Sequence, residues 1–181
     1  VLESKAEIRK NVLHQLTVKP ESERESETQK LIAQFLKLDE YQKATSIGIT
    51  ISNFPELDTH QLIERILKDQ KKVCCPITRP HHQMDFIEIS SDTNFKKSDF
   101  GIWEPEWEKE KVNNQPDILI VPGIKYALDT RQRVGFGGGF YDRFLKKFNG
   151  HTVTLALPEQ VALSADWQIE PTDIPIDQIL H

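Results

Sequence analysis

A glycine cluster at 135–139 is the feature of this sequence that most clearly indicates chemistry. Four of these five residues are glycine, and the cluster lies between an apolar run at 117–122 and a predicted helix that starts at Phe140. Glycine lets the backbone adopt positive φ and approach a ligand closely. Free N–H groups at a helix N-terminus attract anions, and Arg131 and Arg133 add positive charge just before the cluster. The pattern therefore indicates a phosphate-binding loop.

The spacing of these glycines excludes two common phosphate-binding motifs. In the dinucleotide motif Gly-x-Gly-x-x-Gly, a pattern that begins at Gly135 would place its third glycine at Phe140. In a P-loop, Lys and then Ser or Thr follow the glycines, whereas this chain continues with Phe140 and Tyr141. On the residues alone, a flexible turn without a ligand is the competing interpretation.

Three helices are predicted in the first part of the chain. The first begins with a capping box at Ser4 and Glu7, and Lys5 and Arg9 lie four residues apart on one of its faces. The second also starts with a Ser-x-x-Glu pattern, at 22–25, and the third is expected to be capped by Asp58 or Thr59. A shorter helix is predicted at 140–148.

Short apolar segments rich in β-branched residues alternate with these helices and predict strands. The predicted strands are 44–51, 72–78, 84–89, 117–122, 151–157 and a final edge strand at 174–180. The stretch 90–116 is polar and irregular, which is typical of a loop that shapes a site. Strands that alternate with helices favour a three-layer α/β/α fold with a mostly parallel central sheet.

Composition limits the possible classes of protein. The chain has 181 residues, a size that predicts one domain spanning 1–181. Its net charge of −5 disfavours partners such as duplex nucleic acid or an anionic membrane. The two cysteines, Cys74 and Cys75, are adjacent and unsuited to bridging each other, and no apolar run approaches a membrane span. We expect a monomer in the cytoplasm, without a signal peptide.

The glycine segment resembles the signature of 5-formyltetrahydrofolate cyclo-ligases, also called methenyltetrahydrofolate synthetases. The similar residues are Val121-Pro122-Gly123, Asp129 and the run 133–145, Arg-Val-Gly-Phe-Gly-Gly-Gly-Phe-Tyr-Asp-Arg-Phe-Leu. Further similarities lie at Lys5 and Arg9, and at the segments 55–59, 101–105 and 173–177. The resemblance therefore spans essentially the whole chain. One position departs from it, because similar proteins usually carry glycine where this chain has Arg131.

The resemblance implies a reaction and a fold. ATP and 5-formyltetrahydrofolate would give 5,10-methenyltetrahydrofolate, ADP and phosphate, with Mg²⁺ as cofactor. The formyl oxygen is a poor leaving group. Its phosphorylation would create an imidate-like phosphate, and the N10 nitrogen would displace the phosphate as the ring closes. The expected fold is like that of the NagB/RpiA/CoA-transferase proteins. The partners would be small-molecule substrates, and positioning would supply much of the rate.

The resemblance also assigns residues to the site, each with a plainer alternative. Asp142 and Asp173 would bind the metal. The plainer alternatives are that Asp142 only stabilises the N-terminal end of its helix through the helix dipole, and that Asp173 is only a turn residue. Lys5 and Arg9 would contact ATP phosphates, although they could form a solvated helix face. The full set expected to bind ATP is Lys5, Arg9, Arg133, Val134, Gly135, Phe136, Gly137, Gly138, Gly139, Phe140 and Tyr141.

Glu56 is predicted to recognise the pterin end of folate. It follows the predicted strand 44–51, and ligands of open α/β sheets gather beyond the carboxyl ends of strands. The folate tail carries carboxylates that would repel Glu56, whereas the pterin end offers uncharged N–H donors. Ile51 and Phe136 are the expected apolar neighbours in the folate site. An exposed loop acid is the alternative for Glu56.

Two other functions fit the residues without the resemblance. An α/β chain with a glycine-rich loop and basic residues could be a sugar-phosphate isomerase or a CoA-transferase-like enzyme. It could also be a nucleotide-binding regulatory module without turnover. Formation of the methenyl product only in the presence of ATP, Mg²⁺ and 5-formyltetrahydrofolate would distinguish the ligase from both.

Overall fold

The computed structural model describes residues 2–181. The helices are α1 (Lys5–Val18), α2 (Glu21–Leu36), α3 (Asp39–Lys43), α4 (His60–Lys68) and α5 (Phe140–Leu145), with 3-10 turns at Lys109–Lys111 and Pro158–Gln160. The strands are β1 (Ser46–Gly48), β2 (Lys72–Arg79), β3 (Gln83–Ile89), β4 (Phe95–Lys97), β5 (Trp103–Pro105), β6 (Ile118–Ile120), β7 (Lys125–Ala127), β8 (Arg133–Val134), β9 (His151–Leu155), β10 (Val161–Ala162) and β11 (Gln178–Leu180). Across residues 2–181, no helix combines the length and the apolar character that a membrane crossing requires.

The central sheet has six strands in the order β11-β9-β6-β1-β2-β3. Neighbouring strands run parallel except β2 and β3, which pair antiparallel. The predicted mostly parallel sheet is therefore confirmed, and so is a final edge strand, although it spans Gln178–Leu180 rather than 174–180. Because β1, β6 and β9 are parallel, the loops that follow them lie at the same edge of the sheet. These loops form the cleft described below.

The sheet is the middle of three layers, as predicted. Ile118 and Ile120 of β6 face the larger core cluster, which also contains the buried apolar residues of α1, α2 and α4. Leu119, between them, faces the smaller cluster with α5, because successive strand residues point to opposite faces. Cys74 and Cys75 divide in the same way, and both are buried free thiols.

One predicted helix start is confirmed and another is wrong. The Ser4 hydroxyl accepts a hydrogen bond from the Glu7 N–H, and the Glu7 carboxylate accepts one from the Ser4 N–H. The second helix instead begins at Glu21 with Pro20 at its N-cap, so the Ser-x-x-Glu pattern at 22–25 lies inside the helix. Proline fixes φ and suits a helix start without a side-chain cap.

The predicted strands at 44–51, 117–122 and 151–157 were too long, because pairing stops where the chain turns into the loops at the carboxyl edge. The predicted helix 140–148 ends at Leu145 and continues as hydrogen-bonded turns. The stretch 90–116 contains a small hairpin, β4–β5. A second sheet, β10-β7-β8, was not predicted, since strands of two or three residues carry no periodic signal.

Candidate functional site

Helix α1 presents two cations to two different segments of the site. The Lys5 ammonium forms an ion pair with the Asp173 carboxylate at 2.8 Å, and Arg9 Nε donates to the Gly135 carbonyl at 2.7 Å. Lys5 and Arg9 are one helical turn apart, so the same face of α1 reaches both partners. The structure thus brings together three segments that are far apart in sequence.

The glycine cluster forms an exposed loop in front of α5. Gly137 has φ +106° and Gly139, the N-cap of α5, has φ +72°, a region that L side chains rarely adopt. A Cβ at Gly137 would lie 3.5 Å from the Arg9 guanidinium carbon, so the loop backbone and this cation are in contact distance. Positive φ and an exposed backbone beside a cation suit close approach of an anion.

Arg133 lies beneath the glycine loop rather than on its surface. The side chain is only 5% exposed, and the guanidinium donates to the Pro122 carbonyl at 3.4 Å and lies 3.5 Å from the Asp142 carboxylate. It also stacks over the Tyr141 ring, with 5.6 Å from the guanidinium carbon to the ring centroid. The Arg133 Nε and the Tyr141 hydroxyl are both buried without a hydrogen-bond partner within residues 2–181. A ligand group that reached beneath the loop could satisfy them.

The two predicted metal-binding acids, Asp142 and Asp173, are close in space. The Asp142 carboxylate accepts a hydrogen bond from the N–H of Ile174, the residue after Asp173, at 3.3 Å. The Asp173 carboxylate accepts from Lys5 and from the Glu170 N–H at 2.9 Å. Within residues 2–181, no group of three or more His, Cys, Asp or Glu side chains could hold a metal by itself. Two carboxylates nevertheless fit Mg²⁺, which usually takes one or two together with substrate phosphates and water.

A narrow cleft opens at the carboxyl edge of β1, β6 and β9, with a cavity volume of about 40 Å³. Its polar lining residues are Thr50, Ser52, Glu56, Thr59, Tyr126, Thr154 and Gln160. The Glu56 carboxylate accepts a hydrogen bond from the Asn53 N–H at 2.9 Å, and burial raises its pKa. Burial also raises the pKa of Tyr126 to about 12, with Glu56 adding to the effect through its charge. Glu56 and Tyr126 both line this cleft.

The structure does not place Ile51 in the cleft. Its side chain packs against the larger core cluster, while its neighbours Thr50 and Ser52 line the cleft, because alternate residues of an extended segment point in opposite directions. Phe136 is half exposed on the glycine loop and is not a lining residue. Leu57, the residue after Glu56, is an apolar lining residue of the cleft.

Sequence reasoning missed Tyr126 and the aromatic residues near α5. Phe100 of the β4–β5 hairpin is 68% exposed and lies edge-on to Phe140, with 6.1 Å between ring centroids. The His82 ring lies 5.4 Å from the Phe140 ring centroid, which brings the β2–β3 hairpin to the site. The sequence offered one signal for Tyr126, which is its position three residues after the signature Gly123. In the structure, a Cβ at Gly123 would lie 2.9 Å from the hydroxyl of this tyrosine.

The fold and the site together define an open α/β protein with an exposed glycine-rich loop, an acid pair and a polar cleft at the carboxyl edge of its sheet. A sequence model of the 5-formyltetrahydrofolate cyclo-ligase family matches residues 1–181. The chain belongs to this family.

Individual relatives agree with this membership. A 5-formyltetrahydrofolate cyclo-ligase of Haemophilus influenzae is 34% identical, over 80% of this chain and 80% of the relative. Its counterpart in Escherichia coli is 28% identical, over 76% and 78%. The solved 5,10-methenyltetrahydrofolate synthetase of Aquifex aeolicus has a TM-score of 0.82 and 30% identity, covering 97% of this chain and 88% of that one. The Mycoplasma pneumoniae synthetase, at 20% identity, shares the fold with a TM-score of 0.77 over 98% of both chains.

Proposed function

We propose that this protein, as a single domain, catalyses the ATP-dependent cyclisation of 5-formyltetrahydrofolate to 5,10-methenyltetrahydrofolate. The names of its relatives support this reaction. The observation that carries the proposal is the meeting of the α1 cations, the glycine loop and the acid pair at one surface. A triphosphate, a metal and a folate all need to be held together for this reaction, and three distant segments converge to form such a surface.

The triphosphate binds at the glycine loop in this proposal. The exposed backbone of 136–139 faces the phosphates, with Arg9 already beside Gly137 and Lys5 one turn away on α1. Arg133 supports the loop from below through Pro122 and Asp142, so its contribution is to shape the loop as well as to add charge. Val134 to Tyr141 complete the proposed ATP site.

Asp142 and Asp173 are the residues that would hold Mg²⁺ with the phosphates. When bound, the metal neutralises the charge that develops on the transferred phosphoryl group. In the structure each acid is paired with a cation, Asp142 with Arg133 and Asp173 with Lys5. These contacts keep both carboxylates oriented toward the glycine loop and α1.

The cleft is the proposed folate site. The formyl oxygen takes the γ-phosphoryl group of ATP and releases ADP, which turns that oxygen into part of a phosphate leaving group. The N10 nitrogen then donates its electron pair to the formyl carbon, the carbon–oxygen bond breaks, phosphate departs, and the N10 proton is released. Glu56 accepts hydrogen bonds from the N–H groups of the pterin, and positioning of the two substrates supplies much of the rate.

Absorbance of the methenyl product tests the proposal. The purified protein is incubated with 5-formyltetrahydrofolate, ATP and Mg²⁺, and each component is omitted in turn. We expect product only when all three are present, with ADP formed in equal amount. ATP binding without product would instead favour a regulatory module, and neither binding nor product would refute the proposal.

A further inference from the structure

Arg24 of α2 is a buried arginine that does not belong to the proposed ATP, metal or folate site. It is only 4% exposed. Its guanidinium donates to the Leu16 carbonyl of α1 and, at 2.6 Å, to the Pro55 carbonyl. It also lies over the ring of Phe54, 5.1 Å from the ring centroid. The side chain therefore contacts the loop that carries Glu56.

The partners of Arg24 are unusual for a buried charge. Burying a cation is costly unless it is paired. The nearest carboxylate, that of Glu21, lies 3.9 Å away and its side chain is 80% exposed, so it compensates weakly. The main partners are two backbone carbonyls. Leu16 lies in the last turn of α1, where carbonyl groups lack helical partners and favour a cation.

Arg24 contacts the backbone of the loop 52–59, the Glu56 loop, at Pro55. Reciprocal hydrogen bonds between Ser52 and Thr59, at 3.0 and 2.9 Å, tie the two ends of the loop together. Within the loop, Asn53 and Glu56 bond each other through backbone and side chain. The contact from another helix is the one that Arg24 makes to Pro55, the residue directly before Glu56.

We propose that Arg24 is a positioning residue for Glu56. By holding the Pro55 carbonyl against the end of α1, it sets the direction in which the Glu56 carboxylate enters the cleft. The inference rests on the proposed function, because it takes Glu56 to be a folate-binding residue. Arg24 itself contacts neither substrate. Helix α1 also carries Lys5 and Arg9, so the same side chain links the folate cleft to the helix of the phosphate surface, which consists of Lys5, Arg9, the glycine loop 135–139, Asp142 and Asp173.

Steady-state kinetics of Arg24→Met and Arg24→Lys test this role. Methionine keeps much of the length of the side chain but removes both hydrogen bonds, and we expect it to raise KM for 5-formyltetrahydrofolate by about tenfold, as loss of one hydrogen bond to a charged group would. KM for ATP should change by less than about twofold. Lysine lacks the planar fork of arginine, so it can restore only one of the two bonds. Because one bond is kept, Arg24→Lys should raise KM for folate less than Arg24→Met does.

Phe35→Leu is the matched control. Phe35 is fully buried in α2, three turns from Arg24, and packs on Tyr41. This variant should lower the melting temperature without raising KM for folate selectively. If it changes the two KM values as Arg24→Met does, or if Arg24→Met raises both KM values equally, Arg24 is merely structural and the inference is wrong. Should the methionine variant not fold, the ratio of KM values in Arg24→Lys decides in the same way.

The double variant separates this inference from the proposed function. If Arg24 acts through Glu56, Arg24→Met in a Glu56→Gln background should raise KM for folate by no more than about twofold further. A full additional tenfold rise would show that Arg24 acts by another route. If the wild type makes no product, the proposed function fails. If the wild type makes product but Glu56→Gln binds folate normally, the folate role of Glu56 fails, and the positioning role of Arg24 fails with it. If Glu56→Gln weakens folate binding but Arg24→Met does not, only the positioning role of Arg24 fails.

Discussion

Replacement of Glu56 by glutamine gives the sharpest test of the proposed folate site. The substitution keeps the shape of the side chain and removes its charge. Oε2 of Glu56 accepts the Asn53 N–H at 2.9 Å, so Oε1 is the oxygen left for a ligand donor. The single amide oxygen of glutamine can accept a hydrogen bond either from Asn53 or from the ligand, and it is a neutral acceptor. When this oxygen bonds Asn53, the NH₂ group faces the N–H donors of the ligand and cannot accept from them.

The expected loss follows from the charge of this acceptor. Hydrogen bonds to charged groups contribute about 1.5–3 kcal/mol, which corresponds to a loss of folate affinity of about tenfold or more. Burial raises the pKa of Glu56, so ionisation of its carboxylate reduces stability as the pH rises through the folded-state pKa. Glu56→Gln lacks this cost. We therefore expect the variant to be at least as stable as the wild type at pH 7 although it binds folate less tightly.

Isothermal titration of wild type and Glu56→Gln with each substrate measures both affinities. ATP affinity should stay within about twofold, because the glycine loop lies outside the cleft. Folate affinity of the wild type should also fall as the pH drops through the raised pKa of Glu56, whereas that of the glutamine variant should not change through this group. Unaltered folate binding, or an equal loss for ATP, would remove Glu56 from the folate site.

Three further variants test the phosphate surface and the loop before it. Asp142→Asn should lower turnover by about tenfold to a hundredfold and change the dependence on Mg²⁺, with the fold intact by circular dichroism; an unchanged Mg²⁺ titration would exclude a metal role. Gly137→Ala places a side chain at φ +106° beside Arg9 and should raise KM for ATP more than KM for folate in steady-state kinetics; equal effects would argue against a dedicated phosphate loop. Arg131→Gly should raise the free energy of unfolding in a urea titration by about 0.5–1 kcal/mol, because Arg131 adopts φ +58°; a loss of stability would show that its bond to the Asp177 carbonyl outweighs the strain.

The sequence predicted the sheet well and the site in part. β6 could be predicted because its residues are continuously apolar, and β1 because its segment is rich in β-branched residues. Lys5, Arg9 and the glycine cluster could be singled out because they match a family signature, and the structure places Arg9 against the cluster. The direction of individual side chains could not be predicted. Ile51 was expected beside Glu56, yet the extended backbone turns it toward the core.

Arg24 shows a second limit of sequence reasoning. Its position among the many charged residues of α2 is typical of a solvated helix face, and no periodic pattern distinguishes it from its neighbours. Only the packing of α2 against α1 and the Glu56 loop buries it. Long-range contacts of this kind depend on how helices meet, which local sequence spacing does not encode.

The pairing of charges at the proposed phosphate surface bears on how an acidic protein would bind a polyanion such as ATP. The chain carries a net charge of −5, yet the side chains of Lys5 and Asp173 are only 21% and 10% exposed and neutralise each other at 2.8 Å. ATP alone would have to separate Lys5 from Asp173 and leave a carboxylate without a cation, which is costly in a partly buried site. ATP together with Mg²⁺ offers phosphate to Lys5 and a cation to Asp173, so both charges keep a partner. We therefore expect this surface to favour the magnesium complex of ATP over the free nucleotide.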